Sequence, residues 1–252
     1  MIKVILNGCC GVMGGVVTEL VEAEPEMEIV AGIDIKDNGK TEYPVFGSLS
    51  ECSVPADVVI DFSSAKAMDS LIAGLKEKKI PVVLCSTGLS EEQLQAVQEL
   101  SKECAVLKSA NMSLGINLMF KVLKMISPML SEAGFDIEIL EKHHHRKIDA
   151  PSGTAIALAD AINDSMEEKF KYTFDRSSIR AARDPKEIGF AAVRGGNIVG
   201  EHDVIYAGTD EVITISHQAA SRAIFAKGAV AAAKFLAGKP AGFYDMGDVV
   251  NV

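Results

Sequence analysis

Long apolar runs, a leader segment and an excess of basic charge are all missing from this chain of 252 residues. No stretch approaches the roughly 18 uninterrupted apolar residues of a membrane-spanning helix, so we expect no association with a membrane. The apolar run 4–6 is interrupted by Asn7 and Gly8, and we therefore expect no signal peptide. With a formal net charge of -10, the chain lacks the broad basic surface that sequence-independent nucleic-acid binding requires.

Cysteines are also few, and none has the CxxC spacing that is typical of structural metal sites. The chain contains five, an odd number, which we interpret as reduced thiols of a cytoplasmic protein. Hydrophobic residues at 48% and charged residues at 24% are ordinary values for a globular protein. The length allows one large domain or two modest ones.

A glycine-rich turn lies between a predicted strand, 3–7, and a helix predicted over 15–23. The glycines of the turn, 8–14, follow a GxxGxxG spacing, which allows a tight turn and lets backbone N–H groups approach a pyrophosphate. A second predicted strand, 28–33, ends at Asp34, whose carboxylate can accept hydrogen bonds from ribose hydroxyls. These features together favour a dinucleotide-binding unit over a plain glycine-containing turn.

More predicted strands alternate with helices up to residue 108, which indicates a parallel sheet with right-handed crossovers. Serines are expected to cap the helices that follow these strands, at Ser63–Ser64 and at Ser90. Ligands of such sheets bind at the carboxyl ends of the strands, so the loops there are candidates to face a cofactor. The candidates are Phe62, 86–88 and 110–112, after strands predicted over 56–62, 81–85 and 105–108.

The pattern changes from residue 114. Glycine-containing turns at 195–196 and 208–210 predict hairpins and therefore a mixed or open sheet. The polar stretch 171–186 has no clear periodicity and is predicted to be a loop. The predicted helices are 118–130, 155–169 and 221–237, and the predicted strands are 136–141, 189–194, 198–206 and 211–217.

The stretch 143–155, HHHRKIDAPSGTA, combines basic side chains with a turn that opens a helix. Backbone N–H groups at the helix start and the hydroxyls of Ser152 and Thr154 can hold a carboxylate. Lys147 adds positive charge, and a histidine can supply a proton near neutral pH. A dicarboxylate beside a hydride donor is the implied substrate.

The three adjacent histidines also permit a metal site or a solvated basic loop. On an extended strand His143 and His145 share one face and His144 the other, so at most two can chelate one ion. No third ligand has a recognisable spacing nearby, and we expect no metal.

The stretch 141–155 closely resembles the signature E-x-H-H-x-x-K-x-D-A-P-S-G-T-A of the dihydrodipicolinate reductase (4-hydroxy-tetrahydrodipicolinate reductase) family. The resemblance covers the whole chain, including the glycine turn and the segments 86–88, 110–113, 199–202, 220–222 and 243–246. It implies a cytoplasmic, homotetrameric enzyme of lysine and diaminopimelate biosynthesis that reduces a cyclic dicarboxylate with NADH or NADPH. The expected architecture is a Rossmann-like parallel-sheet domain, 1–113 plus 218–252, and an α+β substrate and oligomerisation domain, 114–217, with an open mixed sheet.

The resemblance also implies roles for individual residues. His143 is the expected general acid, and Lys147 is the second catalytic residue, either as proton donor or as electrostatic stabiliser. His144 and the turn Ser152, Gly153 and Thr154 are expected to hold the substrate carboxylates, whereas His145 receives no role. The implied cofactor-binding residues are Gly8, Cys9, Cys10, Gly11, Val12, Met13, Asp34, Cys85, Ser86, Thr87, Ser109, Ala110, Asn111 and Met112.

Three positions depart from the family pattern. Basic residues that favour the 2′-phosphate of NADPH are replaced by Val12 and Ile35. Together with Asp34, their absence favours NADH, although Lys36 is close enough in sequence to compensate. Met112 stands where phenylalanine also occurs, which changes the expected packing around the nicotinamide.

Two other functions compete with this one. Aspartate or homoserine dehydrogenases share the two-domain plan, but the histidine, lysine and DAPSGT stretch argues against them. A nucleotide-sensing protein without catalysis is disfavoured because His143 and Lys147 are both intact.

Overall fold

The computed structural model describes residues 1–250, which form two compact units. The first unit contains Met1–Ser113 and the segment from Ala223 onward, and the second contains Leu114–Arg222. The chain re-enters the first unit at Ala223 rather than at the expected residue 218, because a strand continues to Gln218 and the loop after it belongs to the second unit. Residues 251 and 252, the end of the predicted C-terminal segment, lie outside the described range.

Strands and helices alternate through the first half of the chain and separate in the second half. In chain order the elements are β1 (Ile2–Asn7), α1 (Val12–Glu22), β2 (Met27–Ile33), β3 (Val45–Phe46), β4 (Val58–Asp61), α2 (Met68–Lys78), β5 (Val82–Leu84), α3 (Glu91–Leu100), β6 (Ala105–Lys108), α4 (Leu114–Glu132), β7 (Asp136–His143), α5 (Gly153–Ser165), β8 (Lys171–Thr173), β9 (Glu187–Arg194), β10 (Glu201–Ala207), β11 (Val212–Gln218), α6 (Ala223–Leu236), β12 (Gly242–Tyr244) and α7 (Met246–Val249).

The first unit is built on a seven-stranded sheet in the order β12-β6-β5-β4-β1-β2-β3, with every pair parallel. Both faces are covered, as the continuous apolar runs of β1 and β4 require. One hydrophobic cluster includes side chains of α1 and α6, and the other includes side chains of α2 and α3. This arrangement confirms the predicted Rossmann-like class and places the ends of β1, β2, β4 and β5 along one edge.

The second unit contains a five-stranded mixed sheet in the order β11-β10-β7-β9-β8. Its central strand β7 is antiparallel to β10 and parallel to β9. Side chains of α4 and α5 form the core of this unit with the apolar residues of β7, β9 and β10. Helix α4 has the length and mean hydropathy of a membrane span, a property that the core helices of many globular proteins share.

Some local predictions are wrong. The polar stretch after α5 contains the short strand β8, and the turn at 195–196 does not form a hairpin because β9 and β10 both pair with β7. The turn at 208–210 does join the antiparallel hairpin of β10 and β11. Ser90 caps α3 in a reciprocal capping box, as predicted. Ser63 and Ser64 make no side-chain cap, and Ser63 instead binds Asp61.

Candidate active site

The turn between β1 and α1 has a backbone that requires glycine. Gly8 has a φ of +81°, and a Cβ at this position would lie 2.7 Å from the carbonyl oxygen of Phe62. A Cβ on Gly14 would lie 2.4 Å from the carbonyl oxygens of Gly8 and Cys9. Gly11 precedes α1 and has no side chain to cap its first N–H groups. The turn can therefore present these N–H groups to an anion.

Asp34 lies next to this turn, directly after β2. Its Oδ2 accepts the N–H of Cys10 at 2.9 Å, and its Oδ1 accepts the N–H of Ile35 at 2.8 Å. A cleft of about 460 Å³ is lined by Gly8, Gly11 and Asp34 together with Ser63 and Lys66. The structure thus brings the predicted glycine turn and carboxylate together. It adds Lys66 and also Ser63, which the sequence pattern predicts to be a helix cap.

The other predicted cofactor loops end neighbouring strands of the same sheet. Ser86 follows β5, and its hydroxyl lies 3.5 Å from that of Ser63. Ser109 follows β6 and accepts the N–H of Met246 at 2.6 Å, while Met112 is buried in the core. Asn111 accepts the N–H of Ser113 at 2.8 Å through its side-chain oxygen. Ser109, Asn111 and Met112 therefore have structural partners of their own, whereas Ala110 is exposed.

A buried charge network surrounds His143 at the end of β7. Glu141 is fully buried, and its Oε2 lies 2.6 Å from Nδ1 of His143. Arg194, the last residue of β9, donates to both oxygens of Glu141, at 2.7 and 2.6 Å. The N–H of Ser152 donates to the same carboxylate at 3.0 Å. Burial opposes ionisation of Glu141, but the hydrogen bonds from Arg194 and His143 prevail and lower its pKa. The sequence pattern predicts no role for Glu141 or for Arg194.

His202 on β10 forms the second layer of this network. Its Nε2 lies 2.9 Å from the hydroxyl of Ser152, and its ring meets that of His143 edge to face at 5.2 Å. The Ser152 hydroxyl also accepts the N–H of Ala155 and so caps α5. Ser152 is 2% exposed, so its hydroxyl serves the fold at this position. Burial lowers the pKa of His202 to about 4, which keeps the ring neutral.

Lys147 lies in the loop between β7 and α5, where its Nζ is 2.9 Å from Oδ2 of Asp149. The lysine side chain is only 20% exposed, whereas that of Asp149 is 57% exposed. Desolvation, followed by the charges of Arg146 and Arg222, lowers the pKa of His144. Positive charges therefore surround His144 in the loop that leads to α5. His145 is exposed and adds only a backbone bond to Gly196.

The neutral state of His202 makes stability depend on pH. The pKa of His202 is lower in the folded protein than in the unfolded chain, where it is about 6.5. The stability that depends on a neutral ring is therefore fully present above pH 6.5 and is lost as the pH falls toward 4. We expect the free energy of unfolding to drop by up to about 3 kcal/mol across that window because of this residue. Urea unfolding of wild type and His202→Gln at several pH values measures the difference. His145→Gln is the control and should keep the wild-type slope; equal slopes in all three proteins would contradict the expectation.

The glycine turn provides a second test. Gly8→Ala should weaken dinucleotide binding at the turn and lower the free energy of unfolding by about 2 kcal/mol, because alanine is strained at this φ and contacts the Phe62 carbonyl. Gly15→Ala is the matched control: a Cβ there meets nothing within 4 Å inside α1. It should leave stability unchanged or raise it by about 0.5–1 kcal/mol. NADH titration measures dinucleotide binding by both variants, and thermal unfolding measures their stability. Equal binding and equal stability of the two variants would refute the strained turn.

Two family models match the chain in succession. The model of the dihydrodipicolinate reductase N-terminus matches residues 2–112, and that of the C-terminus matches residues 115–250. The 4-hydroxy-tetrahydrodipicolinate reductase of Caldanaerobacter subterraneus subsp. tengcongensis is 53% identical over 251 residues, covering 100% of this chain and 99% of the relative. The enzyme of the same name from Clostridium novyi is 50% identical over 251 residues, with the same coverage.

Solved structures agree with the fold. A dipicolinate-bound dihydrodipicolinate reductase from Paenisporosarcina sp. TG-14 matches with a TM-score of 0.81 at 24% identity, covering 100% of both chains. A probable dehydrogenase from Thermotoga maritima matches with a TM-score of 0.61 at 13% identity, covering 98% of this chain and 92% of that one. From its sequence matches over nearly the whole length, the chain belongs to the dihydrodipicolinate reductase family.

Proposed function

We propose that this protein reduces 4-hydroxy-tetrahydrodipicolinate to tetrahydrodipicolinate with NAD(P)H, as a step of lysine and diaminopimelate biosynthesis. The observation that carries the proposal is the buried Glu141 carboxylate held between Arg194 and His143, inside a chain that is 53% identical to a reductase of that name. A histidine braced in this way at a strand end is a proton donor with a fixed orientation.

His143 is proposed to donate the proton from Nε2. Glu141 accepts the hydrogen bond at Nδ1, which fixes the orientation of the ring, and Arg194 helps to keep the carboxylate ionised. Gly200 leaves room at the other ring nitrogen, since a Cβ there would lie 3.1 Å from Nε2. Glu141 and Arg194 are thus positioning residues, and His143 is the group that meets the substrate.

The basic groups around the start of α5 are proposed to hold a dicarboxylate. Two of these groups are the side chains of His144 and Lys147, which can attract an anion by their positive charge. The third is the N-terminal turn of α5, at Gly153 and Thr154, because helix N-termini also favour anions. The presence of dipicolinate in the Paenisporosarcina structure supports a substrate of this kind. Lys147 also stabilises the negative charge that moves toward the ring nitrogen during reduction.

The first unit is proposed to hold the nicotinamide cofactor, which supplies the hydride when bound. The glycine turn, with its uncapped helix start and the cleft that includes Asp34, fits a pyrophosphate and a ribose. The loops after β5 and β6, with Cys85, Ser86 and Thr87 and with residues 109–112, are assigned to the same cofactor by family resemblance. The second unit is assigned to substrate binding and oligomerisation.

NADH is the proposed cofactor in preference to NADPH. Ile35 lines the cleft and is 98% exposed, and Val12, which follows Gly11 of the cleft, is 86% exposed. Both positions therefore offer apolar surface where a 2′-phosphate needs a cation. Asp34 adds a negative charge that repels this phosphate. Initial rates at equal NADH and NADPH concentrations, with freshly generated substrate, should be higher with NADH. Ile35→Arg should narrow the gap, and a strong preference of the wild type for NADPH would refute the assignment.

We also propose a cytoplasmic homotetramer, as family membership suggests. Sedimentation of the purified chain should give four times the monomer mass of 26.8 kDa. A monomer at assay concentration with full activity would contradict the tetramer.

A further inference from the structure

Two adjacent cysteines and one carboxylate converge in the turn between β1 and α1. The Sγ atoms of Cys9 and Cys10 are 3.8 Å apart, and both lie within 4.8 Å of a carboxylate oxygen of Asp34. Cys9 is buried, whereas Cys10 and Asp34 are partly exposed. The N–H of Cys10 holds Asp34 in place at 2.9 Å. Three potential ligands are thus fixed around one point by the turn itself.

The spacing of these atoms suits a tetrahedral thiophilic ion. Zinc–sulfur bonds of about 2.3 Å place two thiolates of a tetrahedral site roughly 3.8 Å apart. Gly32 helps to set the position of the Cys9 sulfur, because a Cβ on Gly32 would lie only 2.5 Å from it. A cleft of about 400 Å³, lined by both cysteines, Thr18 and Thr41, gives an ion and its fourth ligand, water, a route from solvent.

We propose that Cys9, Cys10 and Asp34 bind a divalent ion of the zinc and cadmium class. The ion replaces the two thiol protons, which pass to solvent, and no atom changes its oxidation state. The sequence predicts no metal because the histidines have no third ligand nearby and the cysteines lack CxxC spacing. The two adjacent cysteines form a site only because β2 brings Asp34 beside them.

Ion binding and dinucleotide binding should exclude one another, because both use the same turn and the same carboxylate. This consequence rests on the proposed function, whereas the metal site itself does not. The site would make the enzyme sensitive to free thiophilic ions, which would act as competitors of the cofactor.

Cadmium titration of the reduced full-length chain tests the site through thiolate-to-metal absorption in the ultraviolet. We expect one Cd²⁺ per chain and at least a tenfold loss of affinity in Cys10→Ser, a partly exposed position that should still fold. Cys104→Ser is the matched control: this cysteine is buried in the same unit, its thiol donates to the carbonyl oxygen of Leu100, and it is not one of the three proposed ligands, so the variant should bind Cd²⁺ as wild type does. Circular dichroism confirms folding of each variant. Absence of the absorption band, or equal affinity in Cys10→Ser and wild type, overturns the proposal.

NADH fluorescence titration with and without saturating Cd²⁺ tests the exclusion. The apparent Kd for NADH should rise at least tenfold in wild type with Cd²⁺, and an unchanged Kd overturns the exclusion. Failure of the metal site can be distinguished from failure of the proposed function. The absorption band reports on the metal site in the absence of dinucleotide, and NADH binding to the metal-free protein reports on the proposed function.

Discussion

Replacing Lys147 with alanine is expected to lower kcat by about 100-fold or more while NADH still binds. In the proposed mechanism Lys147 neutralises the negative charge that develops on the ring nitrogen of the substrate. Its side chain is 20% exposed, and its Nζ lies 2.9 Å from Oδ2 of Asp149. The proposed dinucleotide site belongs to the other unit, so NADH binding should be unaffected by the change. NADH oxidation with freshly generated substrate measures turnover, and fluorescence titration measures NADH binding.

Lys124→Ala is the control for this experiment. Lys124 also pairs with an aspartate, Asp164, at 3.8 Å, but its side chain is 51% exposed on the surface of the same unit. An exposed ion pair of this kind contributes about 1 kcal/mol or less to stability, so this variant should retain wild-type turnover. Equal turnover in Lys147→Ala and wild type would refute the role of Lys147.

Glu141→Gln is expected to reduce kcat by about 100-fold with a small change in KM. Glutamine keeps the shape of the side chain but removes the negative charge that lies 2.6 Å from Nδ1 of His143 and that orients the ring in the proposed mechanism. The variant also leaves Arg194 without its anion, which should lower the free energy of unfolding by about 3 kcal/mol. Steady-state kinetics, made below the unfolding transition, separate the loss of catalysis from the loss of stability.

Glu187→Gln distinguishes a positioning role from a merely structural one. Glu187 is 6% exposed at the opposite end of β9 and pairs with Arg176, so its loss should destabilise the same unit in the same way. It does not contact His143, and kcat should therefore stay at the wild-type value while the protein is folded. A similar fall of kcat in both variants would mean that Glu141 acts through stability alone.

The glycine turn and the 141–155 motif were predictable because their chemistry is local. The tight turn imposes a positive φ at position 8, which favours glycine. The start of a helix at Ser152 is indicated by the residues that follow it. Their neighbours in space were not predictable in this way. Arg194 contacts Glu141, which is 53 residues away in sequence, and His202 contacts Ser152, which is 50 residues away. Both contacts depend on the register of three strands.

The errors in the fold have the same cause. Glycines at 195–196 have the composition of a hairpin turn, but the choice of β7 as partner of both β9 and β10 depends on long-range pairing. The edge strands β3, β8 and β12 have only two or three residues each, too few to display a period. Ser63 follows a strand and precedes a helix, as a cap does, yet the buried carboxylate of Asp61 takes its hydroxyl.

Reduction of 4-hydroxy-tetrahydrodipicolinate through His143 and the groups around it is the function proposed for this chain. The most direct test is the number of NADH molecules oxidised for each molecule of substrate freshly generated from aspartate semialdehyde and pyruvate, with the product followed by mass spectrometry. We expect one NADH to be oxidised for each tetrahydrodipicolinate formed, and no oxidation when either precursor is left out. NADH oxidation that continues without the precursors would contradict the proposed function. So would substrate that persists while the protein is folded and binds NADH.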